Sequence, residues 1–142
     1  MLELSSRPKH ELFTLVLALD DTVQQTWIGG AILRRFGEKL NDDELEFIVI
    51  HVNGNVALQA AEILLARSID PKVLGVIAQY CPEFQDPAWE KVQDLFPATD
   101  RLARNVFLGF CPELRLRVRE EEFWRKNSHL DRPRMALVAP AK

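Results

Sequence analysis

The sequence predicts an all-α fold, a short right-handed α-solenoid of about four antiparallel helix pairs that fills residues 1–126 as one domain. Three observations predict it. Apolar residues recur at helical spacing between cap and turn signals, which divides the chain into eight short segments. No proline falls inside a predicted helix, where it would break the hydrogen-bond ladder. The segments also pair, with second helices aligning on Val23, Val56, Ala88 and Val118 at steps of 33, 32 and 30 residues. A period in that range marks stacked helix-turn-helix units. One helical hairpin cannot cover its own apolar face, but a neighbour laid against it can.

First helices are expected to open at Pro8, Asn41, Asp70 and Thr99. "HELFTLVLAL" (10–19) ends at Asp20-Asp21, and Asp21 is placed to accept from the free amides of "TVQQTWIGGAILRRF" (22–36), with Gln24 completing a capping box. "GEKLN" breaks the chain, and Asn41 with Glu44 forms a second capping box before "LEFIVIHV" (45–52). After the turn at Asn53-Gly54, "NVALQAAEILLAR" (55–67) carries Val56, Ala60, Ile63 and Leu64 at helical spacing. Asp70-Pro71 sets a capping oxygen before a proline at the first helical position of "KVLGVIAQYC" (72–81). Asp86-Pro87 promises the same start for "AWEKVQDLF" (88–96), whose stripe is Trp89, Val92 and Phe96, and Pro97 stops it. "TDRLARNVFLGF" (99–110) and "ELRLRVREEEFWRK" (113–126) complete the fourth pair, and 127–142 reads as a loose tail.

One region carries the opposite signal. "EFIVIHV" (46–52) is rich in β-branched residues and precedes Asn-Gly, while "LFTLVLAL" suits a buried strand. Strands at 12–19 and 45–52 would make an α/β domain, an enzyme or a ligand-binding unit with its site at the strand ends. The equal unit lengths and the lack of a glycine-rich phosphate loop favour helices.

The composition, 47% apolar and 27% charged, is that of a globular chain. No apolar run approaches the roughly 20 residues of a membrane helix. The opening residues lack a signal peptide's basic-then-apolar layout, and two cysteines suit a reducing, cytoplasmic setting. Those cysteines stand in a repeated string, "YCPEF" (80–84) and "FCPEL" (110–114), read as the last turn of the first helix in the third and fourth pairs. Pro82 and Pro112 stop those helices, and the thiols serve as small buried apolar groups. Their spacing of thirty is wrong for zinc, and His10, His51 and His129 are scattered, so neither metal nor cofactor is expected.

Charge is unevenly spread. Residues 1–100 hold 8 Lys/Arg against 16 Asp/Glu, whereas 101–142 hold 10 against 5. Arg101, Arg104, Arg115, Arg117, Arg119, Arg125 and Lys126 form the basic end, partly neutralised by Glu120, Glu121 and Glu122. Such an end suits an acidic partner or nucleic acid, although a net charge of −3 and a pI near 5.6 weigh against nucleic acid. No Ser-His-Asp order, local Cys-His pair or H-E-x-x-H string suggests an enzyme. Asp20-Asp21 and Asp42-Asp43-Glu44 sit at helix starts, where capping explains them. Gly29-Gly30 within a helix points to close packing against the second pair.

The strings "LDDTVQQTWIGGAIL" (19–33), "VNGNVALQAAEILLA" (52–66) and "LRVREEEFW" (116–124) resemble HEAT-like repeats, with Val118-Arg119 matching that family's Val-Arg pair. The third pair departs from the pattern at Ala88-Trp89. The resemblance implies a curved stack whose second helices line a concave, partner-binding side, and it implies no catalytic residues. The expected function is therefore a non-enzymatic adaptor for another protein, with self-association through its uncapped ends as a further expectation. Trp27, Trp89 and Trp124 all fall on second helices and serve either as core anchors or as interface anchors. The candidate partner-binding residues are Trp27, Arg34, Arg35, Trp89, Arg119, Trp124 and Arg125. Nucleic-acid binding through the basic end is the alternative.

Overall fold

A computed structural model of the chain describes residues 4–130. It contains α1 (Lys9–Ala18), α2 (Thr22–Phe36), α3 (Asp42–His51), α4 (Gly54–Arg67), α5 (Pro71–Tyr80), α6 (Gln85–Leu95), α7 (Arg101–Leu108) and α8 (Pro112–Lys126). Short 3-10 turns lie at Gly37–Lys39 and Pro82–Phe84. Among the described residues there is no strand, so the α/β alternative is overturned: 12–19 and 45–52 form α1 and α3 with their C-caps. The loose-tail expectation for 131–142 lies outside the described residues, while 127–130 leave α8 in a turn with the Leu130 amide 2.9 Å from the Asn127 carbonyl.

Local chemistry accounts for most helix starts. Asp21 accepts from the Val23 and Gln24 amides at 2.8 and 3.4 Å, a simple cap without the reciprocal Gln24 bond. Asn41 and Glu44 form the full capping box, at 2.8 and 2.9 Å. That cap, with three acids in the first turn of α3, favours the helix over the strand that its β-branched run suggested. Glu44 also meets the Lys9 ammonium at 2.9 Å, joining α3 to α1. Burial pushes the Glu44 carboxyl upward, but Lys9 and the Asn41 amide outweigh it and hold the group below its ordinary value.

Two starts differ from expectation. Pro82 holds Cys81 out of the helical region, and the 3-10 turn that follows runs straight into α6, already helical at Gln85. Asp86 is therefore in the first turn rather than at the cap, and Pro87 falls at the third helical position, where an amide has no intrahelical partner anyway. In the fourth pair Asp100, not Thr99, caps α7, accepting from the Ala103 amide at 3.2 Å. The helix ends at Leu108, so Cys111 precedes α8 instead of closing α7. Both cysteines nonetheless share one backbone shape, φ −127° and ψ 82° for Cys81 against φ −132° and ψ 77° for Cys111. Each precedes a proline, which keeps it out of the helical region.

Packing follows the pairing in the first three pairs. α1 lies on α2, α3 on α4 and α5 on α6, and α5 touches both α3 and α7. The fourth pair departs from this, because α7 lies mainly on α5 and α6 and meets α8 only slightly. α5 is enclosed by α3, α4, α6 and α7, with Leu74, Gly75, Val76, Ile77 and Ala78 all buried in succession. On the other side α2 packs against α4, and a Cβ at Gly29 would stand 3.0 Å from both Val52 methyls and 3.3 Å from a Val56 methyl. Gly29 thus lets the first and second pairs approach, whereas at Gly30 a Cβ would stand an ordinary 3.6 Å from the nearest Val56 methyl. The tightest approach is elsewhere, at Gly75, where a Cβ would stand 2.9 Å from Cγ of Phe110.

Gly75→Ala should accordingly destabilise the fold. A helical Gly-to-Ala change ordinarily gains up to about 1 kcal/mol, but overpacking a closed contact costs about 1–3 kcal/mol. Urea unfolding should show a net loss, partly reversed when Phe110→Leu is added. Equal losses with and without the second change would show that the Phe110 ring is not what closes the site.

Candidate binding groove

The second helices α6 and α8 are not packed along one another, and α7, which touches both, closes the space between them. The resulting groove has two adjoining cavities of about 210 and 290 Å³ that share Trp89, Ala98, Arg104, Val118 and Glu122. Trp89 lies on α6 one turn past its start. Its indole stacks on the fully buried Phe107, with ring centroids 5.7 Å apart and planes 18° from parallel. Leu108 and Leu114 add apolar walls to the respective cavities. Arg117 of α8 reaches Asp86 of α6 at 3.4 Å, an exposed pair that spans the two helices near one end.

Arg104 organises the groove. Its guanidinium sits 5.7 Å from the Trp89 ring centroid. The same group donates to the Phe96 carbonyl from Nε at 3.1 Å and from Nη2 at 2.9 Å, and reaches the Gln93 carbonyl at 3.4 Å. Those carbonyls end α6 and have no amide to receive, so a planar cation with several donors satisfies them and complements the helix dipole. Sequence reading placed Arg104 in the basic end but did not select it as a site residue. The three-residue spacing from Arg101 was the only sign that both share a surface.

The seven selected residues do not converge. Trp89, Arg119 and Arg125 line the groove. Trp124 is half-buried, packs edge-on against Phe123 at 4.9 Å, and borders a separate shallow hollow with Arg125. Trp27 lies on α2 at the other end of the row of pairs, 44% exposed and a turn beyond the still more exposed Val23. Arg34 is exposed two turns further along the same helix. Arg35 holds the N-terminal segment: it donates to the Leu4 and Arg7 carbonyls at 2.8 and 2.7 Å and lies over the Phe36 ring at 4.7 Å. Its role in the structure is thus to tie down residues 4–7.

Both cysteines are free and buried, with 2% exposure at Cys81 and 3% at Cys111. Burial raises both thiol pKa values; Glu83 adds to the rise at Cys81, while a bond with Gln85 works against it at Cys111. Among the described residues no three His, Cys, Asp or Glu side chains gather closely enough to hold a metal ion. No described helix is long and apolar enough to cross a membrane.

No family model, curated protein or solved structure gives a significant match to the chain.

Two outcomes follow from this geometry. Arg104→Lys should destabilise the protein nearly as much as Arg104→Ala, by about 1–3 kcal/mol in thermal or urea unfolding, because an ammonium cannot serve two carbonyls and cover the indole together. Full retention of stability in the lysine variant would refute that assignment. Both thiols should resist Ellman's reagent in the native protein at pH 8 and react promptly in denaturing urea, because raised pKa and burial withhold the thiolate.

Proposed function

We propose that this chain is a non-enzymatic interaction module whose four helix pairs form a short right-handed α-solenoid of the HEAT-like kind. It binds another protein on its second-helix side. Contacts within successive pairs, and the row of first helices through α3, α5 and α7, support the stacked reading. The observation that carries the functional reading is the groove between α6 and α8, where a half-buried tryptophan is stacked on Phe107, meets the Arg104 guanidinium and lines the open cavity. Tryptophan and arginine in partly enclosed pockets are the side chains from which interfaces draw most of their affinity. A pre-held indole also loses little rotamer freedom when a partner arrives. Two free, buried thiols suit a reducing compartment such as the cytoplasm.

The test is capture of partners from a native lysate of the source cells by the tagged 142-residue chain. A stoichiometric protein partner should be retained by the parent chain and by Trp27→Ala. Trp89→Phe should weaken its binding roughly tenfold or more. This variant keeps an aromatic ring against Phe107, and circular dichroism would verify its fold. Absence of any stoichiometric protein, or a partner indifferent to Trp89→Phe, would overturn the reading.

A further inference from the structure

We propose that the groove's occupant is an acidic, amphipathic segment of a partner protein, one that seats apolar side chains over Trp89 and directs carboxylates at the rim. The inference rests on the interaction-module reading and adds the partner's chemistry.

Rim charge carries it. Of the arginines lining the two cavities, Arg104 is spent on the α6 carbonyls and Arg117 is paired with Asp86. Arg101, Arg119 and Arg125 have no acidic partner within 4.0 Å among the described residues, and all three are exposed. They come from two helices, α7 and α8, and are brought together only by the fold. Guanidinium groups bind carboxylates through paired, parallel hydrogen bonds, so three uncommitted ones, offset only in part by Glu121 and Glu122 in the same lining, match a segment whose acids flank a few apolar residues.

Size and neighbouring charge narrow the choice. Each cavity, at about 210 and 290 Å³, is smaller than the roughly 300–1,000 Å³ typical of small-molecule sites and suits single side chains of a longer ligand. Trp89 and Val118, with Leu108 in one cavity and Leu114 in the other, can each receive an apolar side chain amid polar walls, and a helical segment supplies two such side chains three or four residues apart. A nucleic-acid strand fits less well. Its phosphates would continue past the rim over exposed Asp86, Glu90 and Asp94 of α6 and Glu120 of α8, and the chain as a whole carries −3. Polyanion binders need basic surface along the whole track. A short acidic segment needs only the rim.

The probe is a fluorescein-labelled sixteen-residue synthetic peptide with two leucines four apart among glutamates. Comparison probes are the same peptide with lysines for the glutamates, a single-stranded oligonucleotide of equal length, and the corresponding duplex. Anisotropy titrations use the full chain at low and near-physiological salt. The acidic peptide should bind, the lysine peptide should not, and affinity should fall as salt rises. Arg119→Glu with Arg125→Glu should weaken acidic-peptide binding roughly tenfold or more, while Arg34→Glu on the distant α2 should leave it unchanged. Both variants alter exposed side chains, and circular dichroism would establish that they fold. Three results would overturn the proposal: no binding of the acidic peptide, binding indifferent to the paired reversal, or tighter binding of either nucleic acid. If the acidic peptide fails while lysate capture still yields a partner sensitive to Trp89→Phe, the stated chemistry falls and the module reading survives.

Discussion

The burial of α5 is the constraint on which the other helices depend. This ten-residue helix is enclosed by α3, α4, α6 and α7, with five consecutive residues buried. A helix enclosed on several sides cannot present a polar face, and the "VLGVIA" stretch has none to present. Glycine in that stretch admits the Phe110 ring from the segment after α7, at a position where the missing methyl is needed for contact rather than for a turn. The third and fourth pairs are thereby joined through their first helices.

Helix ends are tied by side chains from the elements that follow. Gln25 of α2 donates to the Val16 and Leu19 carbonyls that finish α1, at 2.9 and 2.7 Å. Lys91 of α6 reaches the Leu65 carbonyl near the end of α4. Arg104 of α7 does the same for α6. Carbonyls at helix C-termini need donors, and a glycine-based reversal would have supplied them locally. Here the donors are side chains that also pack one helix against the next, so satisfying an end and fixing an interhelical position are the same contact. At α6 that economy has a further consequence: the guanidinium that closes the helix also holds an indole at the floor of an open groove.

The groove arises because the two rows of helices differ. α5 and α7 pack closely, but their partners α6 and α8 part, bridged near one end by the exposed Arg117–Asp86 pair. An exposed ion pair of this kind contributes about 0–1 kcal/mol, too little to draw the helices together. Only Leu114 of α8 is fully buried, so this last helix leaves most of its surface to solvent or to a partner.

Helix existence was legible because it is local chemistry. The Asn41–Glu44 box and the Asp70-Pro71 start act within a few residues of themselves and operate in the folded chain at the residues that announced them, whereas Cys111-Pro112 opens α8 instead of closing α7. The ambiguity at 45–52 was real at that level, since a continuous apolar run satisfies helix and strand alike. Position relative to distant residues was not legible. Trp27, Trp89 and Trp124 occupy matching second helices and look equivalent, yet one is 44% exposed, one is stacked on Phe107, and one rests on its neighbour Phe123. Arg35 and Arg104 look like surface charges in a string of letters, and both bond carbonyls far from their own turn, a pairing that only chain folding creates. Spacing along the chain decided which segments are helical and where most of them begin, because caps and prolines act over one turn. Which arginines stayed free to meet a partner was decided by tertiary packing, because that depends on which carbonyls and carboxylates the fold brings within reach.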